Sequence, residues 1–239
     1  MLRLVLVFLV IVPATIWHGL RMIVAVLRGS SRASCICAEA PRTWARLLLR
    51  CSGADVVLEN VEVIDPERPQ VLVANHTSWY DVLALMAYMP GRTLFVAKKE
   101  LERVPIFGWA VGSCGHIFID RKDRGRAVES LAVAREILEK ESPTVIMFPE
   151  GTRSKTGELQ PFKKGAFVLA IQTGVDIVPA AVSGAYEIMS KGSWVIRSGT
   201  VRIRFGDPIG VAGLEVEDRN ELTERTWNAL KGMQTTGAE

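Results

Sequence analysis

The chain is poor in the residues from which many sites are built. Its 239 residues include only three histidines and four cysteines. Cys35, Cys37, Cys51 and Cys114 show no Cys-x-x-Cys spacing and no histidine cluster stands near them. That pattern excludes a zinc finger or ribbon and makes reduced, cytosol-facing thiols the expectation. Excess charge is also missing, because 29 Lys and Arg against 26 Asp and Glu leave a formal +3. So small a surplus gives no footing for nucleic-acid binding. No Walker, dinucleotide-binding or Gly-x-Ser-x-Gly sequence occurs, and there is neither an internal repeat nor a low-complexity tract. Phosphate-loop, Rossmann and serine-elbow chemistries are therefore set aside.

What the chain does have is apolar sequence concentrated at one end. Its mean hydropathy of +0.20 owes much to Leu2 to Leu27, which is broken only by Arg3, Pro13, Thr15, His18, Gly19 and Arg21. A helix of that length spans a bilayer or lies kinked in one leaflet. A cleaved signal is disfavoured, since Arg3 alone makes a weak basic start and no Ala-x-Ala site closes the stretch. Arg21, Arg28, Arg32, Arg42, Arg46 and Arg50 follow the apolar core, which predicts a cytoplasmic orientation facing anionic headgroups. Pro41 to Arg50 interleaves arginine with apolar residues and reads as an amphipathic helix with Pro41 in its first turn. Residues 1–54 are thus expected to be membrane-associating helices, and residues 55–239 a separate domain.

From Val56 onward, short β-branched runs alternate with helical patterns, the signature of an α/β fold. The expected strands are Val56–Val63, Val71–Ala74, Thr93–Ala97, His116–Ile119, Thr144–Phe148, Asp176–Ala181 and Val201–Phe205. Helices are expected over Trp79–Tyr88, Arg124–Glu141, Lys163–Thr173 and Glu215–Met233. In such folds the carboxyl ends of strands share one rim, so distant motifs converge there.

The run Asn75-His76-Thr77-Ser78-Trp79-Tyr80-Asp81 places a histidine five residues before a carboxylate, directly after an apolar strand. A neutral imidazole takes a proton from a hydroxyl, and a carboxylate on its other nitrogen fixes the tautomer. The plainer reading is that Asp81 only caps the following helix. Three further sequences keep His76 company: Gly115 to Arg121, Phe148-Pro149-Glu150-Gly151-Thr152-Arg153-Ser154, and Ile177-Val178-Pro179-Ala180. Arg121 and Arg153 each offer a planar fork to a phosphate oxygen, with structural ion pairing to Asp120 and Glu150 as the alternative. His116 reads as structural.

With its His-x4-Asp box, its Ile-Asp-Arg box, its Pro-Glu-Gly-Thr-Arg box and its Val-Pro box in that order, the chain resembles the glycerolipid acyltransferase family. The resemblance is strongest to members that acylate 1-acylglycerol 3-phosphate, and it runs from about Val71 to Ala180. It implies a mixed sheet flanked by helices, and transfer of an acyl group from a thioester, acyl-CoA or acyl-carrier protein, to lysophosphatidic acid at a membrane surface. His76 is then the general base and Asp81 its orienting partner. Lys98, Arg121, Glu150, Gly151, Thr152 and Arg153 bind substrate, with Glu150 positioning it, and the Val178-Pro179 box lines the acyl or donor site. No cofactor or metal is implied. Without a serine or cysteine elbow, direct transfer is simpler than a covalent acyl-enzyme. Asn75 or nearby backbone N–H groups are candidates for the oxyanion, which the sequence leaves unassigned. The remaining alternatives are an acyltransferase for another lysolipid, a noncatalytic phosphatidate binder and a metal phosphohydrolase.

Overall fold

A computed structural model describes residues 2–30, 32–120, 123–141 and 143–235. Two long helices, α1 (Leu2–Leu27) and α2 (Ala33–Ser52), precede the alternating part. There follow β1 (Ala54–Glu59), β2 (Gln70–Ala74), α3 (Trp79–Tyr88), β3 (Thr93–Lys98), α4 (Phe107–Ser113), β4 (Ile117–Ile119) and α5 (Arg124–Glu141). The remainder is β5 (Thr144–Met147), α6 (Gly165–Thr173), β6 (Ile177–Ser183), α7 (Ala185–Ile188), β7 (Gly199–Phe205) and α8 (Arg219–Thr235). The strands form one seven-stranded mixed sheet in the order β1-β7-β6-β2-β5-β3-β4. All neighbours run parallel except β6 and β7.

β2 shows why an uninterrupted apolar run sits at the centre. Its residues are buried on both faces, as a strand covered on both sides requires. Side chains alternate between faces with period two. Leu72 and Ala74 therefore join Leu49, Ala84 and Leu85 in one core, while Val71 and Val73 join Leu138, Phe167 and Leu222 in the other. Truncating Leu72, which is fully buried, to alanine costs about 2–5 kcal/mol by the usual cavity penalty. The layers fix β2, β5 and β6 as neighbours, and with them the loops at their carboxyl ends.

The apolar face of α1 is largely uncovered. Residues Arg3–Leu27 have a mean hydropathy of 1.9 and are long and apolar enough to cross a membrane. Phe8, Leu9, Val12, Trp17 and Leu27 are exposed, as is Trp109 of α4. On its other side α1 is part of the fold, since Leu4 and Val7 pack against the core. At Gly19 a side chain would press within 2.5 Å of Ile106 Cγ2, so α1 and the start of α4 approach through a missing Cβ.

Several expectations need correction. α2 begins at Ala33 and Pro41 lies inside it, where the missing N–H deprives the Cys37 carbonyl of its helical donor. Arg42 and Arg46 face protein: Arg42 donates to the Met89 carbonyl at 3.0 Å and to that of Gly91, and Arg46 donates to the Ala87 carbonyl at 3.1 Å. They satisfy the carbonyl end of α3, where cations are favoured. Strand β1 stops at Glu59 because Asn60 turns left-handed at φ 59°, and Val61–Val63 form a 3-10 turn. Cys37 and Cys114 are joined by a disulfide across 77 residues, with Cα atoms 5.4 Å apart. The expected reduced state holds only for Cys35 and Cys51. Sequence spacing carried no sign of this pairing, which arises because α2 packs beside the end of α4.

Candidate active site

Strand β2 ends at Ala74, and the next residues turn into α3 through a capping box. Ser78 is the N-cap, its hydroxyl accepting from the Tyr80 N–H at 3.2 Å. Asp81 closes the box, its Oδ2 accepting the Ser78 N–H at 2.8 Å and the Thr77 N–H at 2.6 Å. The same oxygen lies 2.9 Å from His76 Nδ1. Capping and orienting are thus two duties of one carboxylate, not rival explanations of it. Asp81 is fully buried and the His76 side chain nearly so. A carboxylate that only accepts requires the proton on Nδ1, which leaves Nε2 with a lone pair able to accept a proton. The imidazole is further held by stacking on Phe148, with centroids 4.3 Å apart.

The loop after β5 reaches the same place because β5 neighbours β2. Glu150 is buried at 5% exposure. One of its oxygens accepts the His76 backbone N–H at 2.8 Å and the other accepts from Gln160 Nε2 at 2.7 Å. Burial is the largest influence on its carboxyl and pushes the pKa up to about 7, against the opposing effect of those donors. Both oxygens hold protein, so Glu150 braces the histidine strand-end. Gly151 takes φ +72°, a left-handed conformation in which any side chain is strained. Ser154 locks the loop from the far side by donating its N–H to the His76 carbonyl at 2.8 Å.

Arg153 lies with its guanidinium 5.0 Å from the centre of the Trp79 ring, within cation–π range. Burial lowers its pKa, and the charge of Asp81 acts in the opposite direction. No carboxylate stands within ion-pair distance of it among the described residues. The expected pairing of Arg153 with Glu150 is therefore absent. Arg153 and Trp79 border an apolar cavity of about 550 Å³ that runs between α1, α2 and α3, lined by Val7, Trp44, Leu83 and Met86 among others. Trp44 donates to Thr15 Oγ1 at 3.0 Å within that wall.

The other expected residues separate. Thr152 is exposed beside Arg153. Lys98 ends β3 on the same rim, but its ammonium pairs with Glu100 at 2.9 Å. Arg121 lies outside the described residues. The amide of Asn75 is engaged by Val182, whose N–H it accepts at 2.7 Å and to whose carbonyl it donates at 2.8 Å. It staples β2 to β6 rather than facing an oxyanion. Val178 is core and the Pro179 carbonyl accepts from Gly206, so the Val-Pro box builds the sheet. His116 is buried, accepts the Phe95 N–H at 3.1 Å on Nδ1, and is lowered to about pKa 4 by burial and then by Arg92. Among the described residues no three His, Cys, Asp or Glu side chains converge as a metal ion would need.

Two residues of the site were not anticipated. Gln160 ties Glu150 to the Thr152 carbonyl, and Lys191 donates to Thr152 Oγ1 at 2.9 Å and to the Arg153 carbonyl at 2.8 Å. No local pattern marks either one, because Lys191 stands 39 residues from the hydroxyl it holds.

The family model described as Acyltransferase matches residues 55–183. Bovine 1-acyl-sn-glycerol-3-phosphate acyltransferase alpha is 35% identical over 178 residues, 74% of this chain and 62% of that protein. The chain thus spans about three fifths of the mammalian relative's length. The 1-acyl-sn-glycerol-3-phosphate acyltransferase of Saccharomyces cerevisiae is 34% identical over 227 residues, 94% of this chain and 74% of that protein. The crystal structure of the Thermotoga maritima 1-acyl-sn-glycerophosphate (LPA) acyltransferase, PlsC, superposes with a TM-score of 0.84 at 27% identity, covering 100% of this chain and 96% of that one. The matched segment takes in more than half of the chain and carries the His76–Asp81 pair, Glu150 and Arg153, and the chain belongs to the acyltransferase family.

Proposed function

We propose that the protein transfers a fatty acyl group from a thioester, acyl-CoA or acyl-carrier protein, to the sn-2 hydroxyl of 1-acyl-sn-glycerol 3-phosphate, giving phosphatidic acid. The observation that carries this reading is one arrangement: an oriented histidine, an arginine with no carboxylate partner among the described residues, and an apolar cavity beginning beside that arginine. A base alone would suit many acceptors. A base beside a cation and an apolar cavity suits an amphiphile with an anionic head.

His76 Nε2 takes the hydroxyl proton as the acceptor oxygen attacks the thioester carbonyl. The imidazolium is stabilised by Asp81, the C–S bond breaks as the tetrahedral adduct collapses, and the proton passes to the departing thiolate. No acyl-enzyme forms, and atoms and charge balance with thiol and ester as products. Arg153 holds the phosphomonoester through its planar fork. Residues 1–54 serve as the membrane-facing part and residues 55–239 as the catalytic domain, with the rim at the cytoplasmic surface, where the acceptor lies in the leaflet and the donor arrives from solution.

The test is thiol release from oleoyl-CoA by detergent-solubilised protein, with and without lysophosphatidate and with a chelator present. Release that needs the acceptor, survives chelation and disappears in His76→Ala is the expected result. Turnover in His76→Ala comparable to wild type would remove the histidine from the mechanism. Release with lysophosphatidylethanolamine but not lysophosphatidate would reassign the acceptor.

A further inference from the structure

The phosphate-facing rim contains a cation outside the four sequence boxes. Lys191 follows α7 in the turn Ser190-Lys191-Gly192, and its ammonium reaches back to the Glu150–Arg153 loop. We propose that Lys191 is the second cation of the acceptor site and that it makes the site prefer a phosphomonoester to a phosphodiester headgroup; this rests on the acceptor reading above.

Three observations converge on it. The two groups Lys191 bonds, the Thr152 hydroxyl at 2.9 Å and the Arg153 carbonyl at 2.8 Å, are both neutral acceptors. They fix the ammonium in place without cancelling its charge, and they occupy two of its three N–H directions. Next, neither Lys191 nor Arg153 has a carboxylate within ion-pair distance among the described residues. Two cations held at one short loop, neither ion-paired with a carboxylate among the described residues, offer their charge to an incoming anion. Lys98, by contrast, already has Glu100. Finally, Arg153 and the residues following Lys191, Gly192 to Trp194, border the apolar cavity. An amphiphile whose chain enters that cavity leaves its headgroup beside Arg153, at the loop that Lys191 holds.

Charge count then becomes a specificity device. A phosphomonoester carries a charge approaching −2 at neutral pH, since its second ionisation falls near pH 6. A phosphodiester headgroup carries −1 and has one ester oxygen blocked. One guanidinium satisfies the diester, and a second cation is rewarded only by the monoester. The hydroxyl of Thr152, held by Lys191, completes the fork without adding charge.

The experiment uses the full chain in detergent micelles with oleoyl-CoA as donor. Two acceptors share the same acyl chain, lysophosphatidate and its phosphate monomethyl ester. Lys191→Gln keeps amide donors for Thr152 and Arg153 but removes the charge, and Lys191→Arg keeps the charge. In Lys191→Gln we expect kcat/KM for lysophosphatidate to fall by about tenfold to a hundredfold, the worth of one charge-assisted hydrogen bond, through KM rather than kcat. The methyl ester and the KM for oleoyl-CoA stay within about twofold, because neither depends on the second cation–anion contact, and Lys191→Arg recovers most of the preference because it keeps the charge. Equal loss on both acceptors would make Lys191 a strut for the loop and overturn the inference. So would a raised KM for oleoyl-CoA, which would move the lysine to the donor, or an unchanged acceptor ratio. Wild-type protein that acylates neither acceptor would instead overturn the acceptor reading, and this inference with it.

Discussion

Asp81 shows how closely chemistry and folding are bound at a single residue. One of its oxygens meets His76 Nδ1 and two backbone N–H groups at the start of α3. Under the proposed mechanism, Asp81→Asn removes the charge that supports the imidazolium while keeping one acceptor oxygen for the cap. Turnover should fall by about 100-fold to 10,000-fold, whereas the loss of stability should stay near about 1 kcal/mol, as for a weakened N-cap. Steady-state kinetics and urea unfolding on the same preparation separate the two effects. Glu150 gives a second prediction. Its folded pKa of about 7 lies above the ordinary 4.5, so the native state holds the proton more tightly than the unfolded chain. Its contribution to stability is therefore present below about pH 4.5 and is lost as pH rises through about 7. Buried His116, lowered to about 4, works in the opposite sense: its contribution is present above the unfolded value of about 6.5 and is lost as pH falls toward 4. The wild-type curve mixes the two, so the comparison with Glu150→Gln is the informative one. In that variant the Glu150 slope, up to about 1.4 kcal/mol per pH unit, should vanish from urea midpoints taken between about pH 5 and 8.

At the scale of elements, the site depends on three loops meeting at one rim. β2 stands between β5 and β6, so the residues after β2 and β5 are brought side by side. Glu150, Ser154 and Asn75 then tie the strand ends together through backbone groups of His76 and Val182. The helical pair is tied separately, by arginines of α2 on the carbonyl end of α3 and by the Cys37–Cys114 disulfide beside α4. A maleimide counted by mass should label Cys35 and Cys51 in the denatured, unreduced protein and all four cysteines after reduction. Four labels without reductant would show the bridge to be unmade. Where it is made, reduction should lower the unfolding free energy by about 2–4 kcal/mol. The thermal midpoint should fall accordingly.

Across the whole molecule, α1 presents an exposed apolar face outward and supplies part of the cavity wall inward, through Leu4, Val7, Phe8 and Ile11. An anchor that served only to hold the protein at a membrane would be dispensable in detergent. Deleting residues 1–27 should instead abolish both vesicle co-sedimentation and detergent-phase transfer, because the cavity loses one side. Full turnover of the truncated protein in micelles would show that α1 is an anchor alone.

The sequence was sufficient wherever the physics is local. A capped, apolar decapeptide gives α3 its bounds, Trp79–Tyr88, and a buried β-branched run gives β2 at the centre of the sheet. The His-x4-Asp spacing is itself local, since five residues across one helix start suffice to bring imidazole and carboxylate together. Contacts between distant segments left no such trace. The neighbours of β2, the pairing of Cys37 with Cys114, the engagement of Asn75 by Val182, and the reach of Lys191 to Thr152 depend on how layers stack. Only the tertiary structure decided them, because each joins residues whose separation along the chain, from 39 to 107 positions, is far beyond the range of any helix or strand period.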